Sequence, residues 1–225
     1  MKISASLMCA NLLDIKQTLD ILEEENIDYI HYDIMDGVFV NNICLGFGLF
    51  NQIRHYSKLK MDVHFLARDA KNYLSQLELK KGDQVSVHVE SDCDIVGLSR
   101  EIRGMGIKFG IVINVDTPPE ILVPYLPHID NLIVMLIKPG YAGAPLENNA
   151  LIHLKEVADH LKKYPNITLE VDGHVNDRIL KELIDCGVTI LVAGTASIFK
   201  SDGDLKNNID QFRTKIERCG KDEQY

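Results

Sequence analysis

Short apolar runs alternate with segments of helical periodicity along the whole chain. Eight runs rich in Ile, Leu and Val recur about every 28 residues (225/8), which is the size of a strand–helix unit. Several runs are almost continuously apolar, as expected for parallel strands whose outer faces are covered by helices. The pattern predicts strands at residues 3–8, 29–34, 61–66, 84–89, 108–114, 132–137, 168–172 and 189–193.

The segments between these strands carry apolar residues three or four positions apart, which predicts helices. Asn11 is a suitable N-cap for the first of them. The run Thr117-Pro118-Pro119-Glu120 combines a capping hydroxyl, a proline for the first turn and a glutamate, so it predicts a helix start. The segment 46–55 is the least regular of the helical patterns.

Eight strand–helix units predict a single (β/α)8 barrel of the TIM type that spans residues 1–225 as one domain. The main rival is a doubly wound open sheet, which would favour a glycine-rich loop after the first strand. The residues there, Met8-Cys9-Ala10-Asn11, contain no glycine. The barrel is therefore the preferred fold.

Composition narrows the classes of partner. The chain has 24 Lys and Arg against 33 Asp and Glu, a net charge of −9, and so lacks the basic surface that nucleic acid requires. No apolar run approaches the ~20 residues of a membrane span, and the first residues lack the long apolar core expected of a signal peptide. Five scattered cysteines without a Cys-x-x-Cys motif are typical of reduced thiols. We expect a cytoplasmic protein with neither nucleic acid nor membrane as a partner.

Ligand-type side chains lie at the ends of three predicted strands, where a (β/α)8 barrel carries its active site. His31 and Asp33 are two residues apart on the second strand, so they point to the same side. His64 ends the third strand and Asp172 the seventh. A single histidine here is more often a hydrogen-bonded core residue, but two imidazoles and two carboxylates together favour a metal site. The set suits one divalent ion, Zn²⁺, Fe²⁺, Mn²⁺ or Co²⁺ with Mg²⁺ as a further option, and the sequence does not choose among them.

Small residues follow the last three predicted strands. Gly140 and Gly143 follow the sixth, Gly173 the seventh, and Gly194 and Thr195 the eighth. Barrels often bind phosphate with the backbone N–H groups of the loops after the seventh and eighth strands. One such loop usually means only a tight turn. Three of them favour a phosphorylated substrate.

The order of these motifs resembles the ribulose-phosphate 3-epimerase family over essentially the whole chain. The matching stretches are Ser6-Leu7-Met8, His31-Tyr32-Asp33-Ile34-Met35-Asp36-Gly37, Asp62-Val63-His64, His88-Val89-Glu90, Met135, Pro139-Gly140-Tyr141-Ala142-Gly143, Glu170-Val171-Asp172-Gly173 and Gly194-Thr195.

This resemblance implies epimerisation at C3 of a phosphorylated ketose. It implies that one divalent metal ion is held by His31, Asp33, His64 and Asp172, and that Asp33 and Asp172 are the two acid/base groups. It also implies substrate contacts at Ser6, Met35, His64, Met135, Gly140, Gly143, Gly173, Gly194 and Thr195. Because members of the family commonly form oligomers, a homo-oligomer is expected.

Three details are more similar to the D-allulose-6-phosphate 3-epimerase branch than to the pentulose enzymes. They are Leu7-Met8-Cys9, Ala142-Gly143-Ala144-Pro145 and Asn176 after Asp172-Gly173. The reaction then interconverts either D-ribulose 5-phosphate and D-xylulose 5-phosphate or D-allulose 6-phosphate and D-fructose 6-phosphate.

Five positions depart from the family pattern: Ala5, Asn41, Leu66, Lys138 and His174. Leu66 replaces a third active-site methionine, which keeps an apolar wall without the polarizable sulfur. His174 replaces a glycine and brings a bulky group close to the expected phosphate. These changes bear on the identity of the substrate more than on the reaction.

Two other functions fit the same scaffold. A different barrel lyase or isomerase acting on sugar phosphates, such as a Schiff-base aldolase, would need a buried lysine, for which Lys138 is the candidate. A non-catalytic sugar-phosphate sensor would need no acid/base pair. His88 is expected either to contact substrate or to fill a core layer, and Asp36 either to orient a ligand or to cap the turn.

Overall fold

Eight parallel strands close into a barrel in the computed structural model, which describes residues 1–201 and 203–221. The strands are β1 (Lys2–Ser6), β2 (Tyr29–Asp36), β3 (Lys60–Leu66), β4 (Gln84–His88), β5 (Lys108–Ile113), β6 (Asn131–Met135), β7 (Thr168–Asp172) and β8 (Ile190–Ala193). Each strand pairs with the next along the chain, and β1 also pairs with β8, which closes the ring. The (β/α)8 barrel predicted from the alternating pattern is confirmed.

The strand boundaries follow the apolar runs closely. Strand β7 has the predicted bounds, whereas β1 ends at Ser6 because Leu7–Cys9 forms a 3-10 turn. Strand β2 continues to Asp36, since a two-residue strand, Ile43–Cys44, pairs antiparallel with its end. This hairpin, which the sequence did not predict, places residues 37–42 at the mouth of the barrel.

The helices connect the strands and bury one apolar face each. They are α1 (Ile15–Glu24), α2 (Phe47–Tyr56), α3 (Lys71–Leu74), α4 (Ile95–Gly104), α5 (Ala150–Leu161), α6 (Leu180–Asp185) and α7 (Leu205–Lys221). Helix α1 buries Leu19 and Leu22, and each fully buried leucine contributes roughly 1.5–3 kcal/mol. Asn11 caps a 3-10 turn ahead of α1, where its Oδ1 accepts the N–H of Leu13.

The helix predicted to begin near Thr117 is wrong. The segment between β5 and β6, all of it described, contains two 3-10 turns, Pro119–Leu122 and Leu126–His128. The Thr117 hydroxyl does not cap a helix, because it donates a hydrogen bond to Glu90 Oε1 at 2.5 Å. The helix prediction depended on the Thr117 hydroxyl as a cap, and this hydroxyl is instead bound by Glu90, a residue distant in the sequence.

The interior of the barrel carries polar side chains beside apolar ones. Val112, Ile133 and Met135 form an apolar cluster on β5 and β6. On β3 and β7, Asp62 and Glu170 are fully buried. This polar content is unusual, because barrel interiors are dominated by branched apolar residues. None of the helices in the described ranges is long and apolar enough to span a bilayer.

Candidate active site

Four ligand-type side chains converge at the C-terminal mouth of the barrel. His31 and Asp33 come from β2, His64 from β3 and Asp172 from β7, and one ligand atom of each lies within 4.8 Å of the others. Asp33 Oδ1 lies 3.3 Å from His31 Nε2 and 3.3 Å from His64 Nδ1. Asp172 Oδ2 lies 3.4 Å from His64 Nδ1 and 3.7 Å from His31 Nε2. The four residues predicted as metal ligands are therefore brought together.

Two imidazole nitrogens of this quartet have no hydrogen-bond partner among the described residues, 1–201 and 203–221. His31 Nε2 and His64 Nδ1 are both buried and unsatisfied, and both face the space between the two carboxylates. An unsatisfied buried polar atom costs about 1–3 kcal/mol. A divalent cation between two nitrogens and two carboxylate oxygens would satisfy both nitrogens, and this donor set suits Zn²⁺ and similar ions. The residues present fit a divalent cation.

The imidazoles and carboxylates of the quartet shift one another's pKa values. Burial by itself lowers the pKa of His31, but the carboxylates of Asp33 and Asp62 outweigh burial and raise that pKa well above its ordinary value. Burial likewise raises the pKa of Asp33, yet His31 and His64 hold it well below its usual range. Because a cation binds an imidazole only in its neutral form, cation binding at this site is expected to release protons.

A second polar layer lies directly beneath the quartet. His31 Nδ1 donates to Asp62 Oδ2 at 2.6 Å, and Gln84 Nε2 donates both to Asp62 Oδ1 at 2.8 Å and to Glu170 Oε2 at 3.0 Å. Burial and the Asp62 carboxylate raise the pKa of Glu170 well above its ordinary value. Asn131 Nδ2 also donates to Glu170 Oε2, at 2.6 Å.

The sequence contained a signal for this layer, although no role was predicted for it. Asp62 and Glu170 each precede a predicted ligand by two residues, and alternate residues of a strand share a face. Two acidic residues on the inner face of a parallel barrel require partners. Only the structure identifies those partners, because Gln84 and Glu170 are 86 positions apart.

An open cavity lies above the quartet, and most of the predicted substrate contacts line it. Those lining it are Ser6, Met35, Met135, Gly140, Gly143, Gly173, Gly194 and Thr195, together with Asp33 and Asp172. Leu66 and His174, two of the departures from the family pattern, line it as well. His64, also predicted as a substrate contact, is fully buried and does not line this cavity.

Two hydrogen bonds join the loops on opposite sides of the mouth. The Asn42 side-chain amide donates to the carbonyl of Gly140 at 2.7 Å, and the Tyr141 hydroxyl donates to the carbonyl of Asn41 at 2.6 Å. The loop after β2 and the loop after β6 therefore contact each other beside the cavity. Asp36 caps the first of these loops, since its Oδ1 accepts the N–H groups of residues 38 and 39.

The loops after β6 and β7 have the left-handed backbone that favours glycine. Gly140, Gly143 and Gly173 have φ angles of 115°, 78° and 101°. His174 also lies at positive φ, 53°, and its Nδ1 donates to the carbonyl of Ala144 at 3.2 Å. The imidazole that replaces a glycine therefore ties these two loops together.

Gly173→Ala is expected to destabilise the protein by about 2–4 kcal/mol, because two costs add. A Cβ at this position would lie 2.4 Å from Ile137 Cγ1, and φ is +101°. Gly187→Ala is the matched control, since its φ is +79° and, apart from its chain neighbours, no atom of the described part of the chain lies within 4 Å of the added Cβ. It should lose only the roughly 1–2 kcal/mol of left-handed strain. Urea unfolding measures both, and equal losses would contradict the packing argument.

Comparison with known proteins settles the family. Residues 2–199 match the ribulose-phosphate 3-epimerase family. The chain belongs to this family. Among curated relatives, the ribulose-phosphate 3-epimerase of Bacillus subtilis is 30% identical over 215 residues, covering 94% of this chain and 98% of the relative. That of Helicobacter pylori strain 26695 is 30% identical over 202 residues, covering 89% and 92%. This ribulose-phosphate 3-epimerase family member is therefore an enzyme, an isomerase of the epimerase class.

Solved structures of lower identity share the fold of this family member. A 3-hexulose-6-phosphate synthase from Salmonella typhimurium superposes with a TM-score of 0.67 at 12% identity, covering 97% of this chain and 100% of that one. A phosphoribosyl anthranilate isomerase from Thermococcus kodakaraensis gives 0.65 at 12% identity, covering 96% and 98%. At these identities the likeness concerns the barrel alone.

Lys138, the candidate for a Schiff-base aldolase, is exposed beyond the end of β6. A nucleophilic lysine is usually activated by a desolvated pocket or a neighbouring cation. Solvent exposure therefore disfavours the aldolase alternative in this epimerase family member.

Proposed function

We propose that this protein interconverts D-ribulose 5-phosphate and D-xylulose 5-phosphate by proton transfer at C3. The observation that carries the proposal is the placement of Asp33 and Asp172. They come from β2 and β7, on different sides of the barrel, and both line the cavity above the quartet. The names of the curated relatives support the pentulose phosphate as substrate.

The reaction needs two acid/base groups. The C3 proton lies α to the C2 carbonyl, so its removal gives an enediolate, and a proton returned from the opposite face inverts C3. A single base would return the proton to the face from which it came. Asp33 and Asp172 can flank the enediolate plane, one acting as base and the other as acid, with the roles exchanged in reverse.

The same two carboxylates, with His31 and His64, would hold the divalent cation. When bound, the cation supplies Lewis-acid stabilisation of the negative charge that develops at the C2 oxygen, an effect of several kcal/mol. The side chains of Met35, Leu66 and Met135 line the cavity beside the carboxylates and are almost completely buried. Their apolar surface excludes water from the reacting carbon.

The phosphate would be held by the loops after β6, β7 and β8. Gly143, Gly173, Gly194 and Thr195 line the cavity, and such loops offer backbone N–H groups to an anion. Backbone donors carry no formal charge. A chain with a net charge of −9 can therefore bind a phosphorylated sugar without a cluster of basic side chains.

The test is the exchange of the C3 hydrogen in D₂O, followed by NMR. We expect D-ribulose 5-phosphate to incorporate deuterium at C3 and to give D-xylulose 5-phosphate. D-Allulose 6-phosphate is assayed beside it, because three sequence details favour the hexulose branch. Faster exchange of the hexulose phosphate would support C3 epimerisation but identify the hexulose phosphate as the substrate. Absence of exchange in both sugars, with each of the five candidate cations supplied, would refute the proposal.

A further inference from the structure

The two histidines of the quartet present opposite ring nitrogens to its centre. His31 faces the carboxylates with Nε2 and donates from Nδ1 to Asp62. His64 faces them with Nδ1, so its outward nitrogen is Nε2. That nitrogen lies 2.9 Å from Nε2 of His88 rather than beside a carboxylate. The two ligands are therefore oriented by different partners.

A chain of hydrogen bonds continues from His88 to Glu90. His88 Nδ1 lies 3.0 Å from Glu90 Oε2, and the other carboxylate oxygen accepts the N–H of Asn114 at 2.9 Å and the hydroxyl of Thr117 at 2.5 Å. His64 and His88 are fully buried, and the Glu90 side chain is 22% exposed. The ring of Phe39 covers His88, with 4.7 Å between the ring centres.

Only one arrangement of protons along these hydrogen bonds leaves His64 Nδ1 free to bind a cation. A neutral imidazole that binds a cation through Nδ1 carries its proton on Nε2, so His64 Nε2 donates and His88 Nε2 accepts. The proton of His88 then lies on Nδ1 and is donated to Glu90. The reverse arrangement would direct a lone pair of His88 at the Glu90 carboxylate and a proton of His64 into the quartet.

We infer that His88 and Glu90 are positioning residues, which fix the His64 tautomer that directs the Nδ1 lone pair at the cation. The Glu90 carboxylate can only accept hydrogen bonds, so it determines which nitrogen of His88, and through it which nitrogen of His64, carries the proton. Asp62 performs the corresponding function for His31 by direct contact. Neither His88 nor Glu90 lines the cavity above the quartet, so this role does not require contact with substrate.

The first arm of the test measures cation affinity without substrate. Zn²⁺ is titrated against a competing chelator at fixed pH, and Glu90→Gln is expected to bind it about 10–100-fold more weakly than the natural chain. Glu147→Gln is the matched control, since it loses the same charge at an exposed residue. Glu147 and Glu90 both line a second surface cavity, which is distinct from the one above the quartet. Thr117→Val removes one donor to Glu90 but leaves the carboxylate, and should weaken binding by less than threefold.

The second arm uses the unmodified protein and so does not depend on the folding of a variant. In the Zn²⁺-loaded protein, ¹⁵N NMR of the histidine rings should place a proton on Nε2 of His64 and on Nδ1 of His88. A proton on Nε2 of His88, or equal Zn²⁺ affinities of Glu90→Gln and Glu147→Gln, would overturn the inference.

This inference rests on the proposed cation site and not on the proposed substrate. A protein that does not bind Zn²⁺ at all would refute both the cation site and the positioning role of His88 and Glu90. A protein that binds Zn²⁺ in the expected tautomers but fails to exchange the C3 hydrogen would refute the proposed reaction alone.

Discussion

Asp172→Asn is expected to lower the rate of C3 epimerisation by about 10³-fold or more, near the upper part of the range for general acid–base catalysis. The amide keeps the shape of the side chain and an oxygen ligand, but it cannot accept a proton. Asp33→Asn should show a loss of the same size, because inversion needs both groups. The rates are measured by NMR with each variant loaded to the same metal content.

Isotope exchange separates the two roles. In Asp172→Asn, Asp33 can still remove a proton from the epimer whose C3 hydrogen faces it and return deuterium to the same face. Asp33→Asn should exchange only the other epimer. Asp116→Asn is the control, since Asp116 is exposed outside the quartet and loses the same charge. Exchange of both epimers at the natural rate in either variant would contradict the two-aspartate mechanism.

Removal of the divalent cation is expected to lower kcat/KM by about 10³-fold, since a Lewis-acid contribution of ~4 kcal/mol corresponds to three factors of ten. The protein is treated with chelator, its metal content is measured, and activity is followed as Zn²⁺, Fe²⁺, Mn²⁺, Co²⁺ or Mg²⁺ is returned singly. The ion that restores the highest rate at the lowest concentration is then the candidate for the native cofactor.

The same treatment should lower the stability of the protein. A ligand present at a thousandfold excess over its dissociation constant stabilises the folded state by about 4 kcal/mol. The thermal midpoint is therefore expected to fall on chelation and to recover with the activating ion. Full activity in a protein shown to contain no metal would contradict the cation site. An unchanged rate in Asp33→Asn would contradict the two-aspartate mechanism but not the cation site.

The hydrophobic pattern was sufficient for the strands and for most of the helices. Strand β7 was located to the residue, because Leu169 and Val171 alternate with Thr168, Glu170 and Asp172 between a proline-containing turn and Gly173. The pattern failed after β5. Thr117 and the two prolines after it form a helix-start motif, yet the Thr117 hydroxyl is taken by Glu90, 27 positions away in the chain. Local propensity carries no information about such a partner.

The candidate site shows the same division. The spacing of His31 and Asp33 already placed both on one face, and barrel topology brought His64 and Asp172 to the same mouth. For His64 the sequence predicted the strand end but not the surroundings of the side chain. It was expected among the substrate contacts, and it lies fully buried below the cavity, with one nitrogen toward the quartet and one toward His88.

The sequence by itself determined the barrel, the strand order and the types of side chain at the strand ends, because these follow from periodicity and topology. Only the tertiary structure decided which nitrogen of each histidine faces the centre of the quartet. It also decided which acidic residue orients each imidazole through hydrogen bonds. The orientation of an imidazole depends on hydrogen bonds to residues far away in the chain, such as Asp62 for His31. The closing of the barrel forms those bonds, and the amino-acid sequence does not encode them locally.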